Sequence, residues 1–127
     1  MARPPAPDLT ERELEVMHAA WKRGDCTVSD VREEMASGGR DLAYTTVATL
    51  MKILTDKGCL LQINEERPFL YRPIRSYEDV SKSMLGDLVE RLFGGSREKL
   101  LAQLLGSKKL SAKERALLEA YLKETEK

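Results

Sequence analysis

Apolar positions recur at helical spacing from near the start of the chain. In "LTERELEVMHAAW" the side chains of Leu14, Met17 and Trp21 fall on one face, the pattern of an amphipathic helix. Thr10 stands where an N-cap is needed, Glu13 occupies the capping-box position, and Leu9 can staple to Leu14. This helix is predicted to run to about Arg23 and to end at Gly24. A second is signalled by Ser29 as N-cap, then Val31 and Met35 four apart, and stops at "SGG" (residues 37–39). "AYTTVATLMKIL" makes a third, closed by Lys57 in the last turn and Gly58 just beyond it. Two β-prone runs, Cys59 to Ile63 and Phe69 to Ile74, flank the polar turn "NEER" and predict a hairpin. Pro68 and Pro73 confine the second run to an edge strand. From Ser76 onward the pattern is helical only. Val80, Met84, Leu88 and Leu92 form one stripe, with Leu85 and Val89 beside it, until "GGS" (residues 94–96) breaks it. A short helix carrying Leu100, Leu101, Leu104 and Leu105 follows. Ser111 and Glu114 then offer a capping box for a last helix with Leu117, Leu118, Tyr121 and Leu122.

The third helix contains a puzzle. Threonine is β-branched and a mediocre helix former, yet Thr45, Thr46 and Thr49 crowd its opening turns. Projected at ~100° per residue, Val47, Leu50, Met51, Leu54 and Tyr44 gather on the side that would pack on the first two helices. Thr45, Thr49, Lys52 and Asp56 form a stripe opposite, with Thr46 and Ile53 along one border. The threonines are displayed. Three helices and a hairpin are the chain order of a winged helix-turn-helix, whose third helix enters the major groove. A threonine hydroxyl can bind a phosphate oxygen or a base edge, and its methyl can pack on that of thymine. Short side chains also let the helix sit deep, with its N-terminal end aimed at phosphate. Tyr44 can add a backbone or base contact at the entrance, and Lys52, Lys57, Arg67 and Arg72 can neutralise phosphates. The same face could instead hold a protein, since winged helices also serve as interaction modules.

Charge tempers the nucleic-acid reading. Lys and Arg together number 21, as do Asp and Glu, whereas nucleic-acid binders often carry a basic excess. Binding by one copy would be weak and would lean on dimerisation. The C-terminal stretch invites it, because three short leucine-rich helices cannot bury enough surface to be stable alone. Val80, Met84, Leu85, Leu88, Leu92, Leu101, Leu104, Leu118 and Leu122 are the candidate dimer interface. The expected fold is therefore mostly α with a small β-hairpin wing. Residues 1–8 form a flexible arm, 9–75 a winged helix-turn-helix DNA-binding domain, and 76–127 a helical dimerisation domain.

With His18 as the single histidine and no phosphate-cradling glycine loop or paired carboxylate site, the chain is expected not to be an enzyme and to need no cofactor or metal. Cys26 and Cys59 read as buried thiols of a reducing compartment. No apolar run approaches the ~20 residues that span a bilayer, and "MARPPAPD" lacks a signal-peptide core. The expectation is a cytoplasmic protein without membrane insertion.

The blocks "LTERELEVMHAAW", "LAYTTVATLMKILTDKGCL", "FLYRP" and "LFGGS" resemble those of the penicillinase repressor family (BlaI/MecI/CopY type), from Leu9 to Leu122. The resemblance implies a homodimeric winged-helix repressor on palindromic double-stranded operator DNA. Its targets would resemble the family's β-lactam-resistance or metal-homeostasis genes, and a protease or membrane sensor would be the partner that relieves repression. The family's groove-reading positions match Tyr44, Thr45, Thr46 and Thr49. The chain also departs from the family. Ile53 stands where a basic residue is common, as one is near Asp56. The Asn-Phe bond cleaved in penicillinase-type members is absent, because the one asparagine, Asn64, precedes Glu65. The paired CxC motifs of copper-responsive members are absent too, with no cysteine after Cys59.

Overall fold

The computed structural model describes residues 8–107 and 109–125. They form α1 (Glu11–Arg23), α2 (Val28–Ser37), α3 (Tyr44–Asp56), β1 (Leu60–Gln62), β2 (Tyr71–Pro73), α4 (Tyr77–Leu92), α5 (Arg97–Ser107) and α6 (Ala112–Thr125). Three helices, a hairpin and three further helices are the order that the sequence pattern predicts. The chain divides into two compact units, one extending through Met84 and the other from Leu85. The first unit therefore reaches past residue 75 and takes in the opening turns of α4.

Local signals place most boundaries. Thr10 caps α1, its hydroxyl accepting the Glu13 N–H at 3.2 Å. Gly24 ends that helix at φ +80°, a left-handed backbone that glycine adopts without a Cβ penalty. The second helix starts earlier than its Ser29 signal suggests. Thr27 is the cap, taking the Asp30 N–H at 3.1 Å while the Asp30 carboxylate takes the Thr27 N–H at 2.9 Å. That reciprocal pair satisfies two otherwise unmet helix-end donors, and Ser29 sits exposed in the first turn. At the end of α3 the Cys59 N–H reaches the Leu54 carbonyl and the Gly58 N–H reaches that of Thr55. This is a Schellman closure, and it turns the chain directly into β1. The last helix also begins as its sequence predicts, with Ser111 and Glu114 bonded reciprocally at 2.9 and 3.1 Å.

The hairpin is shorter than its two β-prone runs. Leu60, Leu61 and Gln62 pair antiparallel with Pro73, Arg72 and Tyr71. The second strand is also not a simple edge. On its other side Cys26 and Tyr71 exchange backbone hydrogen bonds at 2.9 and 2.8 Å. The prolines do not obstruct this bridge, because it uses only the N–H and carbonyl of Tyr71. It ties the turn after α1 to the base of the wing.

The core of the first unit holds Val16, Met17 and Ala20 of α1, Val31 and Met35 of α2, Val47, Met51 and Leu54 of α3, and Cys59, Leu60 and Tyr71 of the hairpin. Each fully buried aliphatic side chain contributes roughly 1.5–3 kcal/mol. Tyr44, placed by helical projection with the packing side, is instead 47% exposed at the entrance of α3. A polar tie joins α4 to α1: the Trp21 indole N–H donates to the Arg75 carbonyl at 2.8 Å, and its ring meets Tyr77 edge-on at 5.4 Å. Both cysteines are buried and free, and burial pushes the Cys26 thiol up to about 11.

A second tie spans α1 and α3. Glu13, only 4% exposed, receives Lys57 Nζ at 2.7 and 3.0 Å and the Thr10 hydroxyl at 3.0 Å. Burial raises the Glu13 pKa, but the hydrogen bonds from Lys57 and Thr10 and the charge of Lys57 outweigh it, leaving the carboxyl below its ordinary value. Because the folded value lies below the unfolded one, this group stabilises the fold fully above the ordinary glutamate pKa of about 4.3. That stability is lost as pH falls from there through the lower folded value. Lys57→Ala is expected to cost about 1.5–3 kcal/mol at pH 7, as for hydrogen bonds to a charged group. Glu13→Gln should flatten stability against pH below the ordinary glutamate range, both read by urea unfolding at several pH values. Unchanged acid dependence in Glu13→Gln would place the acid sensitivity elsewhere.

Candidate nucleic-acid interface

The core fixes which side of α3 faces out. With Val47, Met51 and Leu54 buried, the opposite face presents Thr45, Thr46, Thr49 and Lys52, and Tyr44 stands beside them at the entrance, all exposed. The structure thus brings together on one surface the residues that the threonine pattern singles out. Their hydroxyls are not equivalent. Thr49 donates its hydroxyl to the Thr45 carbonyl at 2.9 Å, so in this state it offers acceptor lone pairs and a methyl but no free donor. Among the described residues the Thr45 and Thr46 hydroxyls have no such partner and keep both roles.

The N-terminal end of α3 differs from the others. A threonine or serine hydroxyl accepts a first-turn N–H at the start of α1, α2, α4, α5 and α6. At α3 the cap is Ala43, which makes no side-chain hydrogen bond, and no acidic residue lies in the first turn. Alanine is among the weakest N-caps. The exposed opening amides therefore remain available to an anion, and the helix dipole favours one there.

Cations are sparse on this surface because the fold uses most of them internally. Lys57, expected to meet phosphate, is committed to Glu13 and to the Asp8 carbonyl at 2.8 Å. Arg72, also expected to meet phosphate, forms a two-pronged pair with Asp25 at 2.9 and 3.0 Å. Those hydrogen bonds hold the Asp25 carboxyl below its usual range. Arg12, Lys22, Arg23, Arg40 and Arg75 likewise contact carboxylates. Between residues 9 and 75, Arg32, Lys52 and Arg67 are the cations with no carboxylate partner among the described residues. Arg67 lies at the wing tip over the Phe69 ring, 5.4 Å from its centroid.

Sequence reasoning misses Arg32. It is exposed on α2, and its Nε donates to the Leu42 carbonyl at 2.9 Å, just ahead of α3. No local signal marks it, since the partner carbonyl lies ten residues away across a turn.

The C-terminal helices carry a different surface. Leu85, Leu88, Leu92, Leu101, Leu104 and Leu118 are exposed, Leu92 by 67%. Leu105, Leu117 and Tyr121 are exposed as well. In the second unit Val89 is the buried apolar side chain among the described residues. Two expected interface positions behave otherwise. Val80 is 1% exposed in the first unit, so it is unavailable to a partner chain, and Met84 is half-buried. The side chain of Leu122 lies outside the described residues. Among those residues, no helix is long and apolar enough to cross a membrane, and no cluster of His, Cys, Asp or Glu is placed to hold a metal.

Known proteins resemble this chain in sequence and in fold. The chain is 34% identical over 116 residues to the transcriptional regulator BlaI of Mycobacterium tuberculosis, covering 87% of this chain and 83% of that protein. It is 26% identical over 108 residues to the penicillinase repressor of Bacillus licheniformis, covering 85% and 84%. In fold alone it resembles a MarR family protein from Bacillus stearothermophilus, with a TM-score of 0.50 at 19% identity over 94% of this chain and 74% of that one. The family model described as penicillinase repressor matches residues 9–124, and the chain belongs to that family.

Proposed function

We propose that two copies of this chain bind one palindromic operator, each laying the outward face of α3 in a major groove. The observation that carries this reading is the α3 surface itself. Small side chains with free hydroxyls, one unpaired lysine and an uncapped helix start stand together with no acidic residue before Asp56. Thr45, Thr46 and Thr49 choose sequence with Tyr44, whereas Lys52 and Arg67 supply affinity through phosphates. Arg32 joins them beside the start of α3. Lys57 and Arg72 are removed from the contact set or reduced in it by their internal partners.

Few unpaired cations per copy make one half-site too weak to hold at physiological salt. The exposed leucines of α4, α5 and α6 support the remedy, a second copy that covers them. Repression then depends on the dimer, and relief comes from losing it, through a protease or membrane sensor acting on the C-terminal helices. The protein works in the cytoplasm, catalyses no reaction and uses no cofactor. Its target genes resemble those of BlaI-type regulators.

Selection of bound duplexes from a random library should return a two-fold symmetric site. Thr46→Ala should then cost about 1–3 kcal/mol at one position of that site and relax its sequence. Lys52→Ala should weaken all sequences alike and lower the log–log salt slope by about 0.9 per copy, about 1.8 for the dimer, whereas Arg72→Ala should lower it less. Selection with Thr46→Ala that returns an unchanged site at unchanged affinity would refute the reading role of α3. Failure to recover any sequence, with salt-insensitive binding, would favour a protein-interaction module.

The uncapped start of α3 yields a trade-off. Ala43→Ser should add about 0.5–2 kcal/mol of stability by supplying the missing cap, while weakening operator binding because the new hydroxyl competes with phosphate for the same amides. Tighter binding by the stabilised variant would show that those amides do not meet DNA.

Dimerisation has its own test. Leu88→Asp with Leu92→Asp should give monomers by light scattering, with operator affinity falling more than tenfold. A folded dimer of the double variant would overturn the assignment of this surface.

A further inference from the structure

We infer that Asn64 is a positioning residue for DNA binding: it fixes the wing tip so that Arg67, and not its acidic neighbours, meets the duplex. This rests on the operator-binding reading above and adds to it a residue that makes no contact with DNA itself.

The wing tip presents a problem of charge. Glu65, Glu66 and Arg67 follow one another there, all exposed. A loop that averaged over conformations would offer two carboxylates and one guanidinium to a polyanion and would be repelled. Arg67 helps affinity only if the loop holds one shape.

Asn64 supplies that shape. Its side-chain amide donates to the Glu66 carbonyl at 3.0 Å and to the Pro68 carbonyl at 3.2 Å. These carbonyls belong to the residues on either side of Arg67, so one –NH2 group brackets the Arg67 backbone. The Asn64 Oδ1 accepts the Leu70 N–H at 2.7 Å, and Gln62 Nε2 donates to the Asn64 carbonyl at 2.8 Å. The Ile63 N–H to Leu70 carbonyl bond closes the neck of the loop at 2.8 Å. With the backbone held, Phe69 supports the guanidinium from below at 5.4 Å, a cation–π contact that orients it. An asparagine suits the task because its amide carries two donors and an acceptor on one short stem.

The test is a double-mutant cycle on the full chain, using the duplex recovered by selection. Asn64→Ala and Arg67→Ala are each expected to weaken binding five- to tenfold and to lower the salt slope by about 0.9 per copy, about 1.8 for the dimer. The double variant should bind like Arg67→Ala alone, because Asn64 acts through Arg67. A merely structural asparagine would change the melting temperature, leave the salt slope in place and add its cost to that of Arg67→Ala. Additive losses, or an unchanged slope in Asn64→Ala, overturn the inference. Full affinity in Arg67→Ala overturns it too while leaving operator binding intact, and failure of the unmodified protein to select any duplex overturns both. Circular dichroism at the assay temperature confirms the fold. Should Asn64→Ala melt below that temperature, Asn64→Ser, which also removes the amide donors, takes its place in the cycle with the same expected outcome.

Discussion

Burying one face of α3 is the constraint on which the rest of the first unit depends. Val47, Met51 and Leu54 are wholly excluded from solvent, and their three- and four-residue spacing gives the helix a single favourable rotation about its axis. That rotation determines that Thr45, Thr46, Thr49 and Lys52 face outward, while Tyr44 is exposed by its place at the helix entrance. Turning α3 by one residue, ~100°, would expose core side chains and lose several kcal/mol of apolar burial. The Schellman closure at Gly58 and the Glu13–Lys57 pair then fix the far end of the helix. A surface of poor helix formers is thus held in place by its buried back.

The same economy shapes the electrostatics. A chain with as many acids as bases can meet DNA only by segregating them, and the fold does so by pairing. Carboxylates on α1, α2 and the turn after α1 engage Arg12, Lys22, Arg23, Arg40 and Arg72. Most of these pairs are solvent-exposed and contribute little to stability. Their consequence is to leave few free cations, on α2, α3 and the wing. On the proposed reading, weak binding per copy and dependence on a second copy share that cause, and a second copy would cover the leucines exposed on the C-terminal helices.

The wing applies the same logic on a smaller scale. Its tip is acidic by composition, and fixed backbone geometry, not net charge, decides what it offers. We assign this to the side-chain amide of Asn64 and to the ring of Phe69, which itself packs against the core.

Periodicity in the sequence determined the element order, the capping of α1 and α6, the end of α3 and the threonine stripe. Each depends on residues within a few positions of one another, where local propensity and 3.6-residue spacing act directly. The family was legible for the same reason, in contiguous blocks such as "AYTTV". The start of α2 is local as well: Thr27, not Ser29, has Asp30 three residues on and gains a reciprocal cap. Tertiary structure alone decided the remainder. The Cys26–Tyr71 bridge joins residues far apart in the chain, and a single pair leaves no alternation to read. Whether a lysine or arginine is free for phosphate was hidden as well. Lys57 and Lys52 look alike in sequence, but the first meets Glu13, 44 positions away, and the second meets solvent. Charge is written in the chain; its availability depends on which opposite charge the fold brings alongside.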